Sequence, residues 1–336
     1  MFQHKKAIIG VGLATALTAG VVAHVRLIYS GNGQELAWTS PGNLSVVIQS
    51  EGSDNVADLS DATALRNAID AWNDVDLNTS QLVEDTDPAE QARTDWASDN
   101  LHLLAFDESN TSGFFPSGSG IVAITPLEFY TSGSIIDADV LFNGRDFLFT
   151  TKGEAGRFDI QDVATHELGH FLGLDHSGVA GATMYPYVDP TIILHRSLGM
   201  DDIRGLRDIY PSQSFATITG NVKRSSDSTG VGGAYVVARD SDGRTVASAL
   251  ADEAGAFRLE ALDAGTYRVW ATPLDDPVSA ANLTPGHTIV TDFEASDLGQ
   301  ATVLSGQTAS MGNVFVDADV SVSLGRVADD YPLRVI

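Results

Sequence analysis

Between Val163 and Pro186 the sequence reads VATHELGHFLGLDHSGVAGATMYP, and this stretch decides the fold of the first half of the chain. It holds three of the protein's eight histidines within eleven residues. On a helix, the spacing of His166 and His170 places both imidazoles on one face, one turn apart, where they can bind a single ion. Glu167 lies about 100° round such a helix from His166, which places its carboxylate beside the metal and not on it.

A third ligand is predicted in the turn after this helix. Gly173 is expected to end the helix, because glycine readily adopts the left-handed conformation that turns the chain. The turn brings His176 back toward the same ion. Three neutral imidazoles suit zinc, and a fourth position left to water is typical of a catalytic zinc site. The alternative, ordinary histidines in a packed helix, does not explain the complete His-Glu-x-x-His-x-x-Gly-x-x-His pattern.

The histidine motif resembles a family signature. HELGHFLGLDH (166–176) with the later ATMYP (182–186) is similar to the extended zinc motif and methionine turn of the metzincin endopeptidases. Ser177, directly after the third histidine, and the closing segment DDIRGLRDIYP (201–211) are similar to the matrixin branch, the relatives of the matrix metalloproteinases. The resemblance covers roughly residues 33–211.

This resemblance implies a role for each matching residue. His166, His170 and His176 would be the zinc ligands, and Glu167 the general base and acid. Met184 would pack beneath the metal without binding it.

The resemblance also implies where a substrate binds. In this family a peptide lies extended along an edge strand, which corresponds here to Gly120–Thr125. The predicted substrate-binding residues in this strand and in the facing pocket wall are Gly120, Ile121, Val122, Ala123, Pro186, Tyr187 and Val188. His195 falls in the pocket loop that follows the wall and is expected to be exposed at the surface, with contact to the substrate as the alternative.

One catalytic zinc is the predicted cofactor, with calcium as a further candidate. Animal matrixins hold a second zinc with upstream histidines, but no histidine lies between His102 and His166, so a second zinc is not expected. Calcium is a candidate for the acidic loop Phe106–Asn110 and for the region of Asp137 and Asp139. Neither matches a defined calcium loop, and the alternative for both is a solvated acidic loop.

Beyond Pro211 the sequence changes to short alternating segments with frequent turn signals, which indicates a β-sandwich or barrel. Residues 216–273 resemble a carboxypeptidase regulatory-like domain, a small prealbumin-type β-sandwich, through Gly220, the Gly232-Gly233 pair and Tyr267. No site is visible there, and a stabilising or substrate-docking role is the default hypothesis.

The predicted fold class is therefore α+β. A zincin-like metzincin catalytic domain, with a twisted mixed sheet and an active-site helix, is followed by an all-β sandwich domain. The predicted divisions are 1–30 for a signal peptide or N-terminal anchor, 31–213 for the catalytic domain, 214–275 for the regulatory-like sandwich, and 276–336 for a β segment that completes or extends it.

The N-terminal sequence predicts that the protein is exported from the cytoplasm. Lys5 and Lys6 precede an apolar run from Ala7 to Ala23, the plan of a secretory signal. The run lies at the lower edge of what spans a bilayer, so an uncleaved anchor is the alternative. Both place the rest of the chain outside the cytoplasm, secreted or at the cell surface, and resemblance to matrix metalloproteinases suggests an extracellular-matrix setting.

The amino-acid composition excludes some classes of binding partner. The chain carries 45 acidic and 19 basic residues, a net charge of −26, and such a surface repels nucleic acid and anionic lipid. It has no cysteine, which excludes disulfides and thiolate chemistry. The expected partner is a protein or peptide substrate. Membrane contact is expected only through an N-terminal anchor, and the protein is expected to be a monomer.

Two functions from different classes follow. The first is a secreted zinc metalloendopeptidase that hydrolyses peptide bonds with a zinc-activated water and a glutamate base. The second is a surface binding or adhesion protein with an inactive metalloprotease fold. Glu167 favours the enzyme, because a degenerate site normally loses its base or a ligand.

Overall fold

The computed structural model describes residues 6–10, 22–23, 26–39, 42–77, 81–96, 99–274, 276–283, 289–318 and 334–335, and for 6–10, 22–23 and 334–335 only the backbone. Most of the predicted signal or anchor, residues 1–30, lies outside the described residues. Its described parts include three strands, Lys6–Gly10, Val22–Ala23 and Ile28–Tyr29.

The helices are α1 (Ser60–Asn73), α2 (Pro88–Gln91), α3 (Ile160–Phe171), α4 (Met200–Ile209) and α5 (Ala280–Leu283), with a 3-10 turn at Leu194–Arg196. The strands are β1 (Lys6–Gly10), β2 (Val22–Ala23), β3 (Ile28–Tyr29), β4 (Gln34–Glu35), β5 (Ala37–Trp38), β6 (Asn43–Ile48), β7 (Gln81–Asp85), β8 (His102–Phe106), β9 (Ala123–Ile124), β10 (Pro126–Tyr130), β11 (Ser134–Ala138), β12 (Val140–Phe142), β13 (Phe149–Thr150), β14 (Phe158–Asp159), β15 (Tyr187–Val188), β16 (Ala216–Arg224), β17 (Tyr235–Arg239), β18 (Thr245–Leu250), β19 (Ala256–Leu262), β20 (Gly265–Thr272), β21 (Ser296–Val303), β22 (Thr308–Val316) and β23 (Arg334–Val335).

Buried apolar side chains form two main cores. One draws on residues from Leu27 to Tyr210, and the other on residues from Ala216 to Val316. We call residues 26–211 the N-terminal unit and residues 216–318 the C-terminal unit.

A five-stranded sheet organises the N-terminal unit, in the order β7-β6-β8-β12-β9. The first four strands are parallel, and β9 pairs antiparallel with β12 at the edge. Leu65, Ala68, Ile69 and Trp72 lie at helical spacing on α1 and are buried against the core. Trp72 Nε1 also donates to the carbonyl of Thr165, 2.7 Å away, which ties α1 to α3.

The C-terminal unit is a β-sandwich. Its sheets are β19-β16-β22 and β18-β17-β20-β21, and both contribute side chains to one core. Strand β2, from near the N-terminus, pairs with β18 at the edge of the second sheet. The later strands belong to it, since β21 pairs with β20 and β22 pairs with β16. An α+β unit followed by a β-sandwich confirms the predicted fold class.

The two units share an interface on α4. Arg204, only 3% exposed, donates from Nη1 to the carbonyl of Ala261 at 2.7 Å and from Nη2 to Asp263 at 2.6 Å. Among the residues that the structure describes, no helix has the length and apolarity needed to cross a membrane.

Candidate metal centre

Helix α3 carries the first two histidines and is buried on all sides from Asp162 to Phe171. Asp159 caps its start by accepting the backbone N–H of Asp162 at 3.1 Å. The helix stops where the sequence predicted, because Gly173 has φ +103°. A Cβ at Gly173 would also lie 2.8 Å from the carbonyl oxygen of Leu36, so the turn requires glycine for two reasons.

The turn brings the three histidines together. Nε2 of His170 lies 3.1 Å from Nε2 of His166 and 3.3 Å from Nε2 of His176. All three imidazoles are buried, at 0%, 1% and 6% exposure for His166, His170 and His176. Within the described part of the chain, they form the one group of His, Asp or Glu side chains placed to hold a metal ion.

Each imidazole is oriented by a hydrogen bond on its other nitrogen. Nδ1 lies 2.7 Å from the carbonyl of Thr183 in His166, 2.8 Å from that of Leu174 in His170, and 2.7 Å from that of Asn282 in His176. A carbonyl oxygen only accepts, so Nδ1 carries the hydrogen in all three rings. The three Nε2 lone pairs therefore face one another with no hydrogen between them, an arrangement that repels unless a cation lies there.

These three nitrogens fit zinc. Zn–N bonds of about 2.0–2.1 Å in a tetrahedral site separate neighbouring nitrogens by about 3.3 Å, close to the spacing found here. Imidazoles that bind a metal must be neutral, and the surroundings of His166 and His170 favour this form. Burial lowers the pKa of His166 well below its usual value, and burial, with the repulsion that a protonated His176 would exert, lowers the pKa of His170 to about 3.

Glu167 is buried beside the histidines. Thr125 Oγ1 donates to Glu167 Oε2 at 2.5 Å, whereas Oε1 has no hydrogen-bond partner among the described residues. Burial raises the pKa of Glu167 to about 8, partly offset by the Thr125 hydrogen bond. A dication next to the carboxylate would favour its charged form. The unpartnered Oε1 is therefore a buried acceptor that receives no hydrogen bond from the described residues.

Two residues that support the site were not singled out from the sequence. Thr125 is the last residue of the predicted edge strand Gly120–Thr125, and that position was the available signal. Asp202 is buried and accepts the N–H groups of Thr183 and Met184, at 2.7 and 3.0 Å. It therefore fixes the methionine turn, and Met184 itself is 2% exposed in the core. Burial, with repulsion from Asp201, raises the pKa of Asp202 to about 6.

The residues predicted to bind substrate differ in their exposure. Gly120 and Ile121 are partly exposed, but Val122 and Ala123 are 0% and 2% exposed, so this segment can meet a substrate mainly through its backbone. In the wall, Pro186 and Val188 are buried and Tyr187 is partly exposed. The backbone of β15 in this wall pairs antiparallel with β23. Substrate contact stays a prediction for all of these residues.

The expectation for His195 was wrong. Its side chain is buried, and its Nδ1 lies 3.2 Å from Oδ2 of Asp162. The carboxylate of Asp162 also accepts the backbone N–H of His195 at 2.6 Å. The contact with Asp162, a buried acid at the start of α3, therefore explains why His195 is buried. The sequence of the loop around His195 does not reveal this contact.

Two of the acidic residues considered as calcium ligands form hydrogen bonds with other residues of the protein. Asp107 accepts N–H groups of Thr111 and Ser112, at 2.8 and 2.9 Å. Asp137 accepts the N–H of Asp99 at 2.9 Å, and its Oδ1 lies 3.0 Å from Nδ1 of His102. Calcium binding stays a prediction.

Comparisons with known proteins agree with this geometry. Residues 37–211, more than half of the chain, match the model of the family described as Matrixin. Residues 217–296 match the carboxypeptidase regulatory-like domain. The chain belongs to the matrixin family, and it carries a carboxypeptidase regulatory-like domain after the matrixin region.

Individual relatives are similar over shorter stretches. Matrilysin of Mus musculus is 31% identical over 124 residues, which cover 37% of this chain and 45% of that protein. Matrix metalloproteinase-18 of Xenopus laevis is 31% identical over 153 residues, 45% of this chain and 29% of that protein. The hatching enzyme of Paracentrotus lividus is 42% identical over 74 residues, 22% and 12% of the two chains. This chain thus spans less than half the length of each relative.

Proposed function

We propose that this protein is a secreted zinc endopeptidase with Glu167 as its general base. The observation that carries the proposal is a cluster of three Nε2 atoms, in which that of His170 lies 3.1 and 3.3 Å from the other two, together with the buried carboxylate of the neighbouring Glu167, which has one unpartnered oxygen. Membership of the matrixin family supports a zinc-dependent peptidase. Secretion is supported by the apolar run after Lys5 and Lys6.

The chain's residues divide the work of hydrolysis. Zinc, when bound by the three imidazoles, supplies Lewis acidity that polarises the scissile carbonyl and lowers the pKa of water. Glu167 accepts a proton from the attacking water at Oε1 and delivers it to the nitrogen of the leaving amine, as the acyl carbon gains the hydroxyl and the C–N bond breaks. Thr125 donates to Oε2 at 2.5 Å, which leaves Oε1 as the oxygen free to accept the proton.

We place the substrate between the segment Gly120–Ala123 and the wall Pro186–Val188. Thr125 contacts Glu167, so the edge strand ends beside the proposed base. Because Val122 and Ala123 are buried, the edge strand would bind the peptide backbone, and selectivity would come mainly from the wall.

The division of the chain is also a proposal. A catalytic domain at 31–213 and a sandwich that begins at 214 are supported by the two separate cores. The pairing of β21 and β22 with earlier strands of the sandwich supports a role for residues 276–336 in completing it.

The test compares the purified protein with Glu167→Gln, which keeps the shape of the side chain and removes its basicity. We expect one bound zinc per chain in both proteins, by elemental analysis. Cleavage of a denatured protein should be chelator-sensitive in the wild type and slower by at least about a hundredfold in the variant. Mass spectrometry of the fragments would locate the cuts.

Two results would count against the proposal. Activity retained in Glu167→Gln would remove Glu167 as the base. A wild-type protein that binds zinc but cleaves none of a broad set of denatured proteins would instead favour the binding or adhesion protein.

A further inference from the structure

The three zinc-ligand candidates are not anchored by the same part of the chain. The carbonyls that accept from His166 and His170 belong to Thr183 and Leu174, both in the N-terminal unit. The carbonyl that accepts from His176 belongs to Asn282, 106 residues further along the chain and within the C-terminal unit. The third ligand is thus oriented from outside the unit that carries it.

The carbonyl of Asn282 is held in place by its own surroundings. Its side-chain Oδ1 accepts from both the N–H and the hydroxyl of Ser279, each at 2.9 Å, and lies 3.4 Å from the hydroxyl of Tyr187. The next residue, Leu283, is fully buried in an apolar cluster with Tyr235. The short helix α5 therefore presents the carbonyl to His176 from a fixed position.

A second contact holds the residues just after His176. The N–H of Gly178 donates to the hydroxyl of Tyr235, in the C-terminal unit, at 3.0 Å. That hydroxyl donates to Ser248 Oγ at 2.7 Å, and Ser248 donates to Asp201 at 2.9 Å. Ser177 donates to the same carboxylate at 2.6 Å, so the chain of hydrogen bonds returns to the residue next to the ligand.

We infer that the C-terminal unit is a positioning part of the metal centre, which holds His176 through the carbonyl of Asn282 and the hydroxyl of Tyr235. His166 and His170 are fixed by the helix α3, whereas His176 lies in a loop with no helical hydrogen bonds. Groups that orient a ligand typically change metal affinity when they are removed. The inference rests on the proposed function in taking zinc as the bound ion.

The first test is Tyr235→Phe, which keeps the ring in its apolar cluster and removes the hydroxyl. The N–H of Gly178 then lacks its acceptor, and the loop after His176 loses a tie to the C-terminal unit. We expect the dissociation constant for zinc to rise about 10- to 100-fold, with faster zinc release to a chromogenic chelator. The absorption spectrum of the cobalt-substituted protein should also change, because it reports the coordination geometry.

Tyr267→Phe is the matched control. The hydroxyl of Tyr267 donates to the carbonyl of Asp263 at 3.0 Å, within the same sandwich, and this bond involves neither His176 nor the residues next to it. This variant should release zinc at the wild-type rate. Circular dichroism and thermal melts of the zinc-free proteins would show that both variants fold.

Asn282→Ala tests the other contact. It leaves the backbone carbonyl in place but removes the Oδ1 that fixes α5 to Ser279, so zinc release should again be faster than in the wild type. Asn32→Ala is its control, since Asn32 Oδ1 accepts the N–H of Gln34 in a turn of the N-terminal unit, and no metal ligand is involved. If Tyr235→Phe does not fold, Asn282→Ala decides.

The outcomes separate this inference from the proposed function. A wild type that binds zinc tightly, with folded Tyr235→Phe and Asn282→Ala variants that release it at the wild-type rate, would overturn the inference and leave the peptidase intact. A wild type that binds no zinc would remove the proposed function, and the inference with it.

Discussion

At the scale of single residues, the buried carboxylates of the N-terminal unit differ in what surrounds their oxygens. Asp202 accepts three backbone N–H groups, including that of Gly199 at 2.7 Å, which compensates in part for its burial. Asp139, 4% exposed, accepts one backbone N–H, that of Leu103 at 2.9 Å. Ionisation is therefore less well compensated at Asp139.

Asp139 should make stability depend on pH. Burial raises its pKa from 3.8 to about 8, the charges of Asp137 and Asp99 add to this, and Arg93 opposes it. An acid with a raised pKa binds its proton more tightly in the folded state, so the free energy of unfolding falls as pH rises from about 4 to about 8. Asp139→Asn cannot ionise and keeps an oxygen for Leu103. We expect the variant to gain at least about 2 kcal/mol relative to the wild type across this range.

Urea unfolding at pH 4, 6 and 8 measures this difference. A constant offset between the two proteins would reflect only the hydrogen-bonding change of the amide, whereas the predicted effect is a change of the offset with pH. If the free energies of unfolding of the two proteins changed in parallel with pH, Asp139 would ionise normally in the folded protein.

At the scale of elements, α3 contains a glycine where helix propensity disfavours one. Gly169 lies between the two histidines, and alanine there would favour the helix by about 1 kcal/mol. Packing explains the glycine. A Cβ at this position would lie 2.2 Å from Sδ of Met184 and 3.0 Å from the ring of Trp72. The close approach of α3 to the methionine turn therefore depends on a missing side chain.

Gly169→Ala should destabilise the protein by about 1–3 kcal/mol, despite the gain in helix propensity, because an added methyl overpacks this contact. Urea unfolding at a fixed zinc concentration gives the value. Met184→Ala, alone and combined with Gly169→Ala, completes a double-mutant cycle. The double variant should be less destabilised than the sum of the single variants, since removal of the methionine side chain makes room for the methyl. If the effects of the two substitutions on the free energy of unfolding were additive, or if Gly169→Ala alone were more stable than the wild type, the packing explanation would be wrong.

At the scale of the whole molecule, the sequence predicts features that depend on neighbouring residues and misses contacts between residues that are far apart in the chain. The predicted helix stop at Gly173 depends on neighbouring residues, and the alternating strands after Pro211 are also local patterns. The carbonyl of Asn282 that orients His176 could not be predicted, because a backbone carbonyl has no residue-type signature. Such long-range contacts become visible only when the two units are folded together.

The interface of the two units should make them unfold together. Arg204 is buried on α4 and bonds to Ala261 and Asp263 across the interface. Near it, Tyr235 packs in an apolar cluster that also includes Tyr185, on the other side of the interface. Buried contacts of this kind couple the stability of neighbouring domains, so we expect a single calorimetric transition for the wild type.

Arg204→Met should weaken this coupling, because it keeps an apolar stem but leaves the carbonyl of Ala261 without its donor, whereas Asp263 is half-exposed and can be solvated. We expect the calorimetric enthalpy to exceed the van't Hoff enthalpy in this variant, the mark of two separable transitions. Arg268→Met is the matched control, since it breaks the surface pair of Arg268 and Asp297 within the C-terminal unit and should leave one transition. Two transitions in the wild type, or identical melts for the two variants, would mean that Arg204 does not join the units energetically.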